Sequence, residues 1–139
     1  MYFSYMSDRQ LISSGSPWEL IVGYSRAVRV GERVIVAGTA PQWPDGHVDP
    51  DPAVQARRCL DIIGQALAEA GATLADVVRT RIYLVDAADF DAVATVHGQV
   101  FADVRPANTT LVVAALLNPA WRVEIEVEAL AGVRVREER

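Results

Sequence analysis

From Trp121 to Leu130 the chain alternates without a break, with Val123, Ile125 and Val127 standing against Glu124, Glu126 and Glu128. A repeat of two places one set on each side of an extended backbone and cannot form the stripe of a helix. The segment therefore reads as a strand with one apolar and one acidic face. The apolar face needs a second layer of structure to cover it.

The rest of the chain supplies that layer. Ser25 to Val30 and Arg33 to Thr39 are short valine-rich runs separated by Gly31-Glu32, the pattern of a β-hairpin with glycine in its turn. The stretch PQWPDGHVDPDP that follows is a loop. Asp51 then reads as an N-cap with Pro52 at the first helical position, and Ala56, Cys59, Leu60, Ile63, Leu67 and Ala70 recur at helical spacing before Gly71. Val77 to Val85 form a β-branched strand. Phe90, Val93, His97, Val100, Phe101 and Val104 mark a second helix that ends before Pro106, and Thr109 to Leu117 read as a strand buried on both faces.

The order is ββαβαββ. Both helices are crossovers between strands, which predicts a mixed sheet with two helices on one face, an α+β two-layer domain. The second sheet face is left bare, and burying it against further copies of the chain predicts an oligomer. The expected organisation is a mobile lead-in over residues 1–17, ending in SSGSP, one domain over 18–131, and a solvated tail over 132–139. Met6 is a second candidate start.

Composition narrows the chemistry. With 139 residues, 51% hydrophobic and 22% charged, the chain reads as one soluble domain. No apolar run approaches the roughly 18 residues of a membrane span, and the opening lacks the pattern of a secretory signal, so the expected location is cytoplasmic. A net charge of −5 argues against a nucleic-acid partner. All 13 basic side chains are arginines, which excludes a lysine Schiff base. Cys59 is the single cysteine, and His47 and His97 have no companion ligands, so neither a disulfide nor a metal site is expected, and no cofactor. GxGxxG, P-loop and GxSxG motifs are absent.

GYSRAV, then VIVAGTAP, then QARRCLDIIGQALAEAGATLADVVRTRIYLVD, and finally RPANTT and VEIEVEAL together resemble the RidA (YjgF) superfamily over about residues 18–130. The resemblance implies the chorismate-mutase-like α+β fold and a homotrimer whose sheets line a central barrel, with small-molecule clefts between subunits. The implied activity is enamine or imine deamination. The cleft residues carried over are Tyr24, the backbone of Ala37, Gly38 and Thr39, and Glu124 as the group that positions or activates water. The family's carboxylate-gripping arginine, which follows Pro-Ala, is replaced here by Asn108. An amide donates hydrogen bonds without charge, so the anchor is weakened. Arg26, on the strand face of Tyr24, and Arg105, three residues before Asn108, are candidates to replace it.

Each residue also has a plainer reading. Glu124, Glu126 and Glu128 can be one solvated face. Arg26 and Arg105 can be surface ion-pair partners. Arg79, Arg81 and Tyr83 share a strand face suited to subunit packing, while His97 and Cys59 sit on apolar helix stripes and read as packed side chains. Three functions stay open: an imine-hydrolysing enzyme, a trimeric binder without chemistry, and, least supported by the charge, an endoribonuclease.

Overall fold

The computed structural model describes residues 8–132. Its elements are β1 (Arg9–Ile12), α1 (Pro17–Val22), β2 (Ala27–Val30), β3 (Arg33–Thr39), α2 (Pro52–Glu69), β4 (Val77–Leu84), α3 (Phe90–Phe101), β5 (Ala107–Val112) and β6 (Val123–Leu130). They form one six-stranded sheet in the order β1-β2-β3-β6-β4-β5. Every neighbouring pair is antiparallel except β4 with β5. From β2 to β6 the order is the expected ββαβαββ.

The alternating strand lies in the middle of this sheet. Val123, Ile125, Val127 and Ala129 are buried, and the intervening glutamates are partly exposed. α2 covers the apolar side with Ala56, Cys59, Leu60, Ile63, Ala66 and Leu67, and α3 adds Val93, Val96 and Phe101. α2 begins as the sequence indicates: the Asp51 carboxylate accepts from Ala53 N at 2.8 Å, and Pro52 follows. The β2–β3 hairpin turns through Gly31 at φ 60°, a conformation that favours glycine.

Three features depart from the sequence reading. Within the segment read as a lead-in over 1–17, Arg9–Ile12 pairs with β2 as an edge strand, and Pro17 opens a helix that runs to Val22. The strand read over Thr109 to Leu117 as buried on both faces is Ala107–Val112, an edge strand exposed at nearly every position. Among the described residues it pairs only with β4, so its other edge is open within the chain. α3 stops at Phe101 rather than Val104, and Arg105 takes a left-handed φ of 54° ahead of Pro106. The tail from residue 133 onward lies outside the described residues.

The second face of the sheet is bare. Leu11, Val30 and Ile35 on β1 to β3 are exposed, Ile35 at 42%. Along the middle strands this face is charged: Arg33 contacts Glu128 at 2.7 Å, Arg81 contacts Glu126 at 3.2 Å, and Tyr83 donates to Glu126.

Candidate active site

One irregularity in the ladder shapes the site. Val36 pairs with Val127, but Thr39 pairs with Ile125, so β3 carries an extra residue around Ala37 and Gly38. Such a bulge breaks the alternation and re-aims neighbouring groups. Here it brings the Gly38 backbone under the Glu124 side chain. A β-carbon at position 38 would fall well inside contact distance of Glu124 Oε2. This close approach, rather than its own φ, is what favours glycine at position 38.

A cavity of about 730 Å³ opens over this point, on the bare side of the sheet. Tyr24, Arg26, Ala37, Gly38 and Glu124 line it, so five of the eight sequence-selected residues meet within one chain. The other three do not. Thr39 is buried, and its hydroxyl donates to the Ala37 carbonyl at 2.8 Å. Asn108 lies on β5, two strands away from β6, with its side chain on the helix side. Its amide donates to Thr80 Oγ1 at 2.9 Å and its carbonyl accepts from Thr110 Oγ1 at 2.9 Å. Arg105 does not line the cavity.

The three β6 glutamates differ in their surroundings. Glu128 is held by Arg33, whose hydrogen bond keeps its carboxyl below the usual range, and Glu126 is held by Arg81 and Tyr83. Glu124 makes no hydrogen bond or ion pair with any described residue. Burial pushes its pKa upward, against a weaker opposing pull from Arg26. Desolvation disfavours the charged form of a carboxyl, which moves Glu124 toward the range in which it can both give and take a proton near neutrality.

Arg26 is fixed at the site. Its Nη2 donates to the Gly38 carbonyl at 2.5 Å, across the bulge. Its Nε is buried without a hydrogen-bond partner among the described residues, as is Nε1 of Trp121, another residue of the lining. Among the described residues, no three His, Cys, Asp or Glu side chains are placed to share a metal ion.

The remaining walls were not singled out from the sequence. Trp18 and Val22 come from α1, and Leu117, Asn118 and Trp121 come from the loop before β6. α1 is anchored by Glu19, which is buried and accepts from Ser14 N at 3.0 Å and from the Ser14 hydroxyl, while Ser16 caps Trp18 N at 3.3 Å. The β6 loop is anchored by the fully buried Gln55. Its Nε2 donates to Asp49 O at 2.8 Å and Ala120 O at 3.0 Å, and its Oε1 accepts from Arg122 N at 2.7 Å. Arg122 adds a two-pronged pair with Asp89 at 2.8 and 2.9 Å. The SSGSPWE run and the isolated glutamine on the apolar stripe of α2 were the available signals.

His97 takes no part. Its Nε2 lies 2.9 Å from Thr80 Oγ1, its ring packs on Phe101, and burial lowers its pKa. The Cys59 thiol is buried and its pKa is pushed far up by that burial, which keeps it from acting as a thiolate.

Comparison with known proteins adds a lineage to this geometry. The model of the family described as Endoribonuclease L-PSP matches residues 16–131. An uncharacterized protein of Streptomyces coelicolor is 41% identical over 122 residues, spanning 87% of this chain and 91% of its own. A 2-iminobutanoate/2-iminopropanoate deaminase of Capra hircus is 36% identical over 126 residues, 89% of this chain and 91% of its own. The solved structure of a Mycobacterium tuberculosis member of the YjgF/YER057c/UK114 family is 48% identical, with a TM-score of 0.83, and the match covers 89% of this chain and 100% of that one.

Proposed function

The chain belongs to the YjgF (RidA) superfamily, and from that premise we propose that it hydrolyses small enamines and imines to carbonyl compounds and ammonia in the cleft over Gly38. The observation that carries this reading is Glu124: alone among the three β6 glutamates it is unpaired, desolvated and open to a cavity. In the reaction a water oxygen adds to the imine carbon while the Glu124 carboxylate takes the water's proton. The same carboxyl gives that proton to the nitrogen, then takes the proton of the new hydroxyl and passes it to the nitrogen as the carbon–nitrogen bond breaks, so both protons of the water leave on ammonia. One water is consumed, and one carbonyl and one ammonia leave. Tyr24 and the backbone of Ala37 and Gly38 orient the substrate against this water.

The subunit is proposed to work as a homotrimer. The exposed apolar side chains on the bare sheet face and the unpaired β5 edge are surfaces that association would cover. A neighbour could then deliver its own β5, with Asn108, toward the cleft, as the superfamily resemblance implies. The absence of arginine at position 108 favours a second reading, a trimer that binds a small metabolite without turnover. The net charge of −5 opposes an RNA substrate.

The test is hydrolysis of 2-aminoacrylate generated in situ by an amino-acid lyase, with wild type and Glu124→Gln in parallel. Removal of a general acid–base group lowers kcat by about 10²–10⁴-fold. Wild-type turnover with an unaffected Glu124→Gln variant refutes the role of Glu124. No acceleration by the wild type on any imine tested leaves the binding reading.

A further inference from the structure

We infer that His97 on α3 is a positioning residue: through the buried hydroxyl of Thr80 it sets which way the Asn108 amide faces at the open edge of β5, and a proton on His97 turns that amide over. His97 stands outside the cavity of its own chain, and its reach is to that edge. The switch stands on contacts within one chain, while its effect on turnover rests on the proposed delivery of β5 to a neighbour's cleft.

Four side chains from three elements form one hydrogen-bonded relay. His97 Nε2 lies 2.9 Å from Thr80 Oγ1 on β4, the Asn108 amide nitrogen donates to the same oxygen at 2.9 Å, and Thr110 Oγ1 donates to Asn108 Oδ1 at 2.9 Å. Thr80 is fully buried, so its one hydroxyl proton needs an acceptor. Asn108 offers that oxygen a donor, and among the described residues His97 Nε2 is the acceptor within reach. His97 is therefore neutral with its proton on Nδ1, and every bond of the relay points from Thr110 towards His97.

A proton on Nε2 reverses the relay. An imidazolium has two donors and no acceptor, so Thr80 then accepts from His97 and must send its own proton to Asn108. The amide meets that proton by a half-turn about its last side-chain bond, which brings Oδ1 to Thr80 and Nδ2 to the Thr110 hydroxyl. All three bonds are kept, with their directions exchanged. Asn108 is exposed, and each of its amide atoms uses one of two bonding positions inside the chain. The half-turn thus exchanges a donor for an acceptor towards whatever meets this edge of the sheet.

The charges on the neighbouring elements are turned elsewhere. Arg79 and Arg81 of β4 face the bare side with Glu128 and Glu126, Arg57 and Arg58 of α2 bond Gln99 and Gln42, and Asp76 ahead of β4 accepts from Thr73 and Gly132. β5 carries no charged residue, α3 carries only the exposed Asp91, and Asp103 and Arg105 beyond it are exposed. Burial alone lowers the pKa of His97, which keeps the relay in its observed direction at neutral pH and puts the reversal below the ordinary histidine range.

The experiment is NMR of the whole chain labelled with a nitrogen isotope, following the His97 ring nitrogens and the Asn108 side-chain amide from about pH 8 to about pH 4.5. The expected result is a ring protonated on Nδ1 alone near neutrality, and an amide signal that moves with the same midpoint as the ring. Thr80→Ser should keep the shared midpoint, and Thr80→Val should leave the ring titrating and the amide still. A ring protonated on Nε2 alone near neutrality, an amide unmoved through the ring's midpoint, or an amide that follows the ring in Thr80→Val overturns the inference; the first two are read from wild type and need no variant to fold. Where imines are hydrolysed, KM should change by about threefold or more across that midpoint in wild type, with kcat changed less, and stay flat in Thr80→Val. A flat wild-type KM overturns the positioning role. An amide that turns in a protein without turnover removes the chemistry and leaves the switch, whereas turnover with an amide that stays still removes the switch and leaves the chemistry.

Discussion

Gly38→Ala tests the geometry of the site at its tightest point. The added methyl would stand less than 3.0 Å from Glu124 Oε2, where ordinary contact begins at 3.4 Å. Oε2 is the end of a flexible side chain, so the carboxylate can retreat by roughly 1 Å to restore normal packing. The cost in stability is then small, about 1 kcal/mol or less. The cost in catalysis is larger, because a displacement of about 1 Å in a reacting group can lower the rate by about 10². Steady-state imine hydrolysis should show kcat falling by one to two orders of magnitude with KM changed by less than about threefold, and a thermal melt should move little. The reasoning also makes the effect conditional on Glu124. In a Glu124→Ala background, Gly38→Ala should cost almost nothing further, since the two substitutions remove the same function. A Gly38→Ala enzyme with kcat within twofold of wild type would refute the argument, as would a penalty that persists in full without the glutamate.

Other outcomes follow from the same contacts. The Glu124 pKa is raised in the folded protein, so between the unfolded and folded values the native state holds the extra proton and stability falls as pH rises. Glu124→Gln should therefore raise the melting temperature at pH 7 and above, with the gain disappearing near pH 4. Arg26 pulls the Glu124 pKa down, so Arg26→Gln should move the Glu124 limb of the pH profile of kcat/KM to higher pH, provided turnover remains measurable. Gln55→Leu strips partners from Asp49 O, Ala120 O and Arg122 N, and should destabilise by about 3 kcal/mol in denaturant titration, with loss of order in the loop that carries Trp121.

The sheet and its two covering helices were legible because burial imposes period. The alternation of β6 and the stripes of α2 and α3 repeat over enough residues to outweigh local accidents. β5 was misjudged for the same reason that β6 was not: an unbroken apolar run looks identical whether it is enclosed within a subunit or placed at an edge. The sequence has no marker for which neighbour an apolar residue meets. β1 and α1 were hidden in SSGSPWE and the residues around it, because a four-residue strand and a six-residue helix are too short for periodicity to register. Their stability comes from pairing with β2 and from the Ser14 contacts to buried Glu19, interactions that no local pattern announces. Tyr24, Gly38 and Glu124, which line the cavity, were singled out through resemblance. Trp18 and Trp121 were not, since an indole on a wall and an indole in a core leave the same trace in a sequence.

The distinction between Glu124 and its two neighbours is a product of register. All three carboxyls leave the same face of one strand, two residues apart, and intrinsic chemistry gives them the same pKa. On β4, Glu128 stands opposite Arg79, Glu126 opposite Arg81, and Glu124 opposite Tyr83. The tyrosine hydroxyl turns to Glu126, so the last carboxyl receives no donor from that side. On β3 the bulge places glycine, with no side chain to donate, where a regular strand would have offered one. Glu124 is thus left unpaired by both flanking strands at once, while α1 and the β6 loop build walls around it that limit water. The role proposed for Glu124 thus rests on what its neighbours lack, and Arg26 is close enough to pull its pKa down without cancelling the effect of burial.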